Sequence, residues 1–112
     1  MVGFRLSPLA EADLTRILAV SEDRWGLEGR RRYAALLATA LRWVARAPVG
    51  PATRDRTELS PGIRSFHIRH VPGSTIKKPV HVLYYRAIAT DRIEIVRVLH
   101  ERMEPSRHLT ET

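Results

Sequence analysis

Three residues have the types that could do chemistry together: His100, Arg64 and Arg86. The hydrophobic pattern puts all three on strands, Arg64 in residues 63–71, Arg86 in residues 80–88 and His100 closing Arg92–His100. Histidine titrates near neutrality and can take a proton from an attacking hydroxyl. Fixed guanidinium groups can stabilise charge building on a phosphate. A histidine with two arginines could therefore support cleavage of a phosphodiester. For each residue taken alone, the bland reading is the stronger. Arg64, Arg86 and Arg97 alternate with core residues, so each suits an ion pair with a carboxylate such as Glu94, or an acidic partner laid on the sheet. Exposed pairs of that kind contribute only about 0–1 kcal/mol.

Other chemistries find less support. The chain has no cysteine, and His67, His70 and His81 have no carboxylate at ligand spacing, so no metal site and no cofactor is expected. A Gly-rich phosphate loop and a serine nucleophile motif are both missing. Trp43 falls off the apolar stripe of its helix and is a candidate contact residue, whereas Trp25 closes a stripe and is expected to pack. Lys77 and Lys78 sit in a turn-rich insertion, 72–79, that is longer than a tight hairpin needs. Arg30, Arg31 and Arg32 fan around a helix and read as a solvated face.

The formal charge is +7 with an isoelectric point near 11.0, and its distribution is uneven. Residues 8–47 hold seven basic against five acidic side chains, whereas residues 59–100 hold seven basic against two acidic. Four of the five histidines fall in that second stretch. A field of that sign favours nucleic acid or an acidic protein segment as partner. No apolar run approaches the roughly 20 residues needed to span a bilayer. Glu11 and Asp13 interrupt the region where a signal peptide would be apolar, so a cytoplasmic protein is expected.

The elements that must position these residues follow from the periodicity. Residues 2–6 alternate as a short strand with Val2, Phe4 and Leu6 on one face. Ser7-Pro8 starts a helix, since serine can cap the free amides and proline at the first position gives up an N–H that has no partner there. Ala10, Leu14, Ile17, Leu18 and Trp25 form its stripe, and Gly26 is a plausible stop. A second helix runs over 27–47 with Tyr33, Leu36, Leu37, Ala40, Leu41 and Val44 on its apolar side, making a hairpin with the first. Residues 48–62 read as loop. Three strands follow, and the last two carry bulky residues on both faces, as central, covered strands do. Val82 and Tyr84 oppose Leu83 and Tyr85, then Val96 and Val98 oppose Ile93, Ile95 and Leu99. The expected class is α+β, one domain over 1–112, with a helix hairpin on a mostly antiparallel sheet that the first strand joins. Residues 101–112 are expected to hold at most a short helix and to fray.

Several segments together resemble one family. Phe4-Arg5-Leu6-Ser7-Pro8 with Asp13-Leu14, then Trp25-Gly26, Pro61-Gly62-Ile63-Arg64-Ser65, His81-Val82-Leu83-Tyr84-Tyr85-Arg86 and Ile93-Glu94-Ile95-Val96-Arg97-Val98-Leu99-His100 resemble, in order, the RelE/ParE toxin superfamily, and most closely its ParE-type members. The resemblance runs from about residue 4 to 109 and implies the RelE/ParE-like two-layer fold. It implies a toxin of a type II toxin–antitoxin system, silenced by a cognate antitoxin and reaching operator DNA only through that complex. ParE-type members are associated with inhibition of DNA gyrase, without a known active site of their own. The alternative is a RelE-type ribosome-dependent mRNA endonuclease, which would use His100, Arg64 and Arg86. Against it, residues 54–58 are charge-balanced where such nucleases are lysine-rich, and Met103-Glu104 stand where an aromatic acid–base group would follow. The gyrase-directed, non-enzymatic reading is therefore preferred, with Arg64, Arg86, Arg97, Trp43, Lys77 and Lys78 as partner-binding candidates.

Overall fold

The computed structural model describes residues 3–109. Strand β1 (Gly3–Leu6) leads into α1 (Pro8–Arg46), followed by β2 (Thr53–Asp55), β3 (Arg64–His67), β4 (His81–Ala89) and β5 (Arg92–His100), with single 3₁₀ turns at Ile68–His70 and Pro105–Arg107. The five strands form one sheet in the order β1-β5-β4-β3-β2. Among the described residues, only the β1–β5 pairing is parallel. Val2, expected in the first strand, lies outside the described residues.

Helix α1 is two arms rather than one rod. Thirty-nine straight helical residues would span roughly 58 Å at 1.5 Å per residue. The longest dimension of the molecule is 38 Å, so the chain must fold back. It does so at Gly26, whose φ of 75° and ψ of −176° lie where glycine alone is comfortable. Both arms lay apolar side chains on one face of the sheet. Ala10, Ile17, Leu36, Leu37, Leu41 and Val44 pack there with Phe66, Leu83, Tyr85, Ile93, Ile95 and Val98. Phe4 and Leu6 of β1 pack against the same core.

The opposite face is covered too, by a smaller cluster of Ile63, Tyr84, Leu99 and Leu109. Leu109 brings the tail back to that face and anchors it there, while most of residues 101–108 stay exposed. A bulge sets which β5 side chains face which layer. Tyr84 opposes Arg97 but Tyr85 opposes Ile95, leaving Val96 as the extra residue. Strict alternation puts Val96 with Val98. The extra residue reverses the parity, so Val98 joins Ile93 and Ile95 under the helices, while Val96 joins Leu99 on the other face.

Two further elements differ from the sequence reading. Strand β2 lies inside the stretch read as loop, where three residues pair antiparallel with β3. The strand read over 63–71 stops at His67, because the His67 side chain accepts a hydrogen bond from the Arg69 amide and turns the chain into the 3₁₀ segment.

Candidate functional site

The start of α1 completes the sheet. Beyond Leu6, the outer edge of β5 has no strand beside it among the described residues. Ser7 donates its amide to the Ile95 carbonyl and its hydroxyl to the Val96 carbonyl (2.7 Å), while its Oγ accepts from the Ala10 amide as the helix cap. One turn on, the Asp13 carboxylate accepts from the Val98 amide (2.9 Å). It also accepts from Nε and Nη2 of Arg97 at 2.8 and 2.9 Å, and from Arg16 Nη2 at 2.9 Å. Asp13 is 1% exposed, so this is a buried carboxylate whose bonds are all made inside the chain. The bonds from Asp13 strengthen the hold of Arg97 on its proton further. The Arg97 Nη1 also donates to the His108 carbonyl, so one guanidinium ties helix, strand and tail together.

The three residues singled out for phosphodiester chemistry are not brought together. His100 opposes His81 across the β4–β5 ladder, whereas Arg86 opposes Glu94. Five residues separate His81 from Arg86, or roughly 17 Å along a strand. Arg64 is directed elsewhere. Its Nε donates to the Pro48 carbonyl and its Nη2 to Thr53 Oγ1, and Tyr85 donates its hydroxyl to the same carbonyl. Together they hold the loop after α1 against the sheet. Arg86 shares Glu94 with Arg5, at 3.4 and 3.3 Å, in a row across three strands.

His100 belongs to a cluster of rings. Its Nδ1 accepts from the Arg102 amide, and its ring lies 5.7 Å from that of His81. His81 in turn bonds through Nδ1 to the Tyr33 hydroxyl at 2.6 Å. That hydroxyl also accepts from the Val80 amide, so Tyr33 is held to the start of β4 at two points. Burial, with the nearby His100 and His67 rings, pushes His81 down to about 4. Burial likewise pushes the Tyr33 hydroxyl up. His81 is thus neutral at pH 7 and serves to fasten α1 to the start of β4. On β3, His67 donates from Nε2 to Glu101 (2.7 Å), and that bond lowers the Glu101 carboxyl.

Of the residues proposed to meet a partner, Lys77, Lys78, Trp43 and Arg86 are exposed, whereas Arg64 and Arg97 are engaged within the chain. The lysines directly follow a loop that forms a groove of about 210 Å³ with the second arm, lined by Arg32, Leu36, Thr39, Val71 and Ile76. Trp25 corrects the sequence reading. It is 62% exposed, one turn past the last buried position of the first arm, Ser21. Leu27, beside it at the hairpin tip, is exposed as well. The stripe reached Trp25, but the sheet beneath it did not.

The family model for the ParE toxin of type II toxin–antitoxin system parDE matches residues 4–105. The chain belongs to the ParE toxin family. It is 37% identical over 109 residues to Toxin ParE1 of Caulobacter vibrioides, covering 97% of this chain and 99% of that one. It is 36% identical over 107 residues to Toxin ParE1 of Mycobacterium tuberculosis, covering 95% and 96%. Toxin ParE of Escherichia coli is 32% identical over 104 residues, covering 93% and 89%. A solved structure described as the chromosomal ParDE TA system from P. aeruginosa shares the fold with a TM-score of 0.67 at 18% identity, over 89% of this chain and 96% of that one. The Ser7 and Asp13 interactions lie within the matched span and give a physical reason for the opening motif of this ParE-type toxin. It closes the edge of the sheet.

Proposed function

We propose that this ParE-type toxin inhibits DNA gyrase by protein–protein contact, and that a cognate antitoxin in the same cytoplasm silences it. Membership of the ParE family over nearly the whole chain carries this reading. The arrangement of the sheet supports it, since His100, Arg64 and Arg86 are held apart and each has a partner in the fold. The antitoxin is proposed to use an acidic segment, with Lys77, Lys78, Arg86 and Trp43 as the contacts it meets. Operator DNA is reached only through the toxin–antitoxin complex.

The test is purified toxin in two assays, plasmid supercoiling by gyrase and mRNA integrity on translating ribosomes. Loss of supercoiling with intact mRNA is expected. Cleaved mRNA with unimpaired supercoiling would overturn the reading.

A further inference from the structure

The tip of the helix hairpin carries two large apolar side chains into solvent. Trp25 is 62% exposed and Leu27 is 53% exposed, one on each side of the break at Gly26. Trp25 continues the helical row of Leu14 and Leu18, which pack against the core, into a turn with no sheet beneath it. The turn is shaped around that tryptophan. Gly26 takes a positive φ, and a Cβ placed on Gly29 would overlap the Cβ of Trp25. The returning chain therefore lies against the base of the indole and limits where the ring can swing. A tryptophan held in this way offers a large contact surface and loses little freedom on binding.

The charges around the tip largely cancel. Glu22 pairs with Arg30 and Glu28 with Arg32, which leaves Asp23 against Arg24 and Arg31 among the described residues. The surface around Lys77, Lys78 and Arg86 is different, because residues 60–90 contain no acidic side chain. An acidic segment is drawn to that cationic surface, whereas a nearly neutral apolar tip suits an apolar pocket on a folded protein. A second copy of this chain is too small an occupant. One tryptophan supplies at most about 250 Å², so two tips meeting would fall well short of the roughly 1,200 Å² of a stable interface.

We propose that the hairpin tip is the anchor by which the toxin holds gyrase, with Trp25 and Leu27 entering an apolar pocket of the enzyme. Arg24 and Arg31 lie at its rim. The assignment rests on gyrase being the target and adds the surface that reaches it. Lys77, Lys78, Arg86 and Trp43, the proposed antitoxin contacts, are other residues, so target and antitoxin are met by different parts of the chain.

The experiment compares full-length parent, Trp25→Ala, Trp25→Phe and Leu9→Ala in gyrase supercoiling and in binding to the antitoxin. Thermal unfolding of each variant confirms that it is folded. Trp25→Ala is expected to need roughly thirtyfold or more toxin for half inhibition, the loss of a hot-spot tryptophan. Trp25→Phe should regain most of that loss. Leu9 is an exposed leucine sixteen residues earlier on the same arm, or roughly 24 Å away along the helix, so Leu9→Ala should change inhibition by less than about threefold. Antitoxin affinity should stay within about threefold for Trp25→Ala. A folded Trp25→Ala protein that inhibits like an inhibitory parent overturns the anchor and leaves the gyrase reading standing, whereas a parent that does not inhibit overturns both. Equal losses in Leu9→Ala and Trp25→Ala also overturn the anchor, as does an antitoxin affinity that falls as far as inhibition. So does binding of the parent to phosphatidylglycerol vesicles that Trp25→Ala abolishes while inhibition is kept.

Discussion

Replacing Arg97 by methionine tests whether one buried ion pair holds helix, strand and tail together. The substitution keeps most of the side-chain volume and removes two charge-assisted bonds to Asp13 and one to the His108 carbonyl. Asp13 would stay 1% exposed with its charge, keeping only the Val98 amide and Arg16, whose side chain is 60% exposed. Breaking a buried pair by removing one partner costs about 3–5 kcal/mol, and the two surviving donors place this case near the lower end, at about 3 kcal/mol. With a urea slope of about 1.5 kcal/mol per molar, the midpoint should fall by roughly 2 M. Asp13→Asn in the same background removes the stranded charge but keeps an oxygen for the Val98 amide. The double variant should therefore recover about 1–2 kcal/mol relative to Arg97→Met alone. Equilibrium urea unfolding of the parent, both single variants and the double variant measures the coupling. A loss below about 1 kcal/mol for Arg97→Met, or strict additivity, would refute the reasoning.

Gly26→Ala distinguishes a hairpin from a continuous helix by sign. A positive φ with extended ψ should cost a side chain about 1–3 kcal/mol, whereas alanine for glycine inside a helix would stabilise by about 1 kcal/mol, so a raised thermal midpoint contradicts the break. Ser7→Ala removes a helix cap and leaves the Val96 carbonyl without its donor, and should cost roughly 1–2 kcal/mol in the same unfolding assay; an unchanged midpoint counts against the edge closure. His81 gives a pH dependence. Its folded value, about 4, lies below its ordinary 6.5, so the unfolded chain binds the proton more readily. Stability is full above pH 6.5 and falls as pH drops towards 4, by roughly 2 kcal/mol after allowing for partial exposure. His81→Gln should flatten that slope between pH 6.5 and 4, and an identical slope in the variant would contradict the assignment.

Much of the fold could be read from local pattern. Arg92–His100 alternates densely enough to be placed to the residue, and Ser7-Pro8 announces the helix start through capping chemistry that needs nothing beyond its own turn. What was not legible depends on partners distant in sequence. Strand β2 is three residues among prolines and glycines and exists because β3 lies beside it. The Asp13–Arg97 pair spans 84 residues, so Arg97 read as a surface cation and Asp13 only as part of a motif. Trp25 kept the helical period of buried residues, yet burial depends on where the sheet ends.

If the last two strands serve as scaffold, losing the His100 imidazole should leave the proposed gyrase inhibition intact. The most direct measurement compares wild-type toxin with His100→Ala in gyrase supercoiling, with and without equimolar antitoxin. Equal inhibition by both proteins is expected, with full recovery of supercoiling when antitoxin is added. A folded His100→Ala protein that no longer inhibits, or a wild-type toxin that leaves supercoiling untouched, would contradict it.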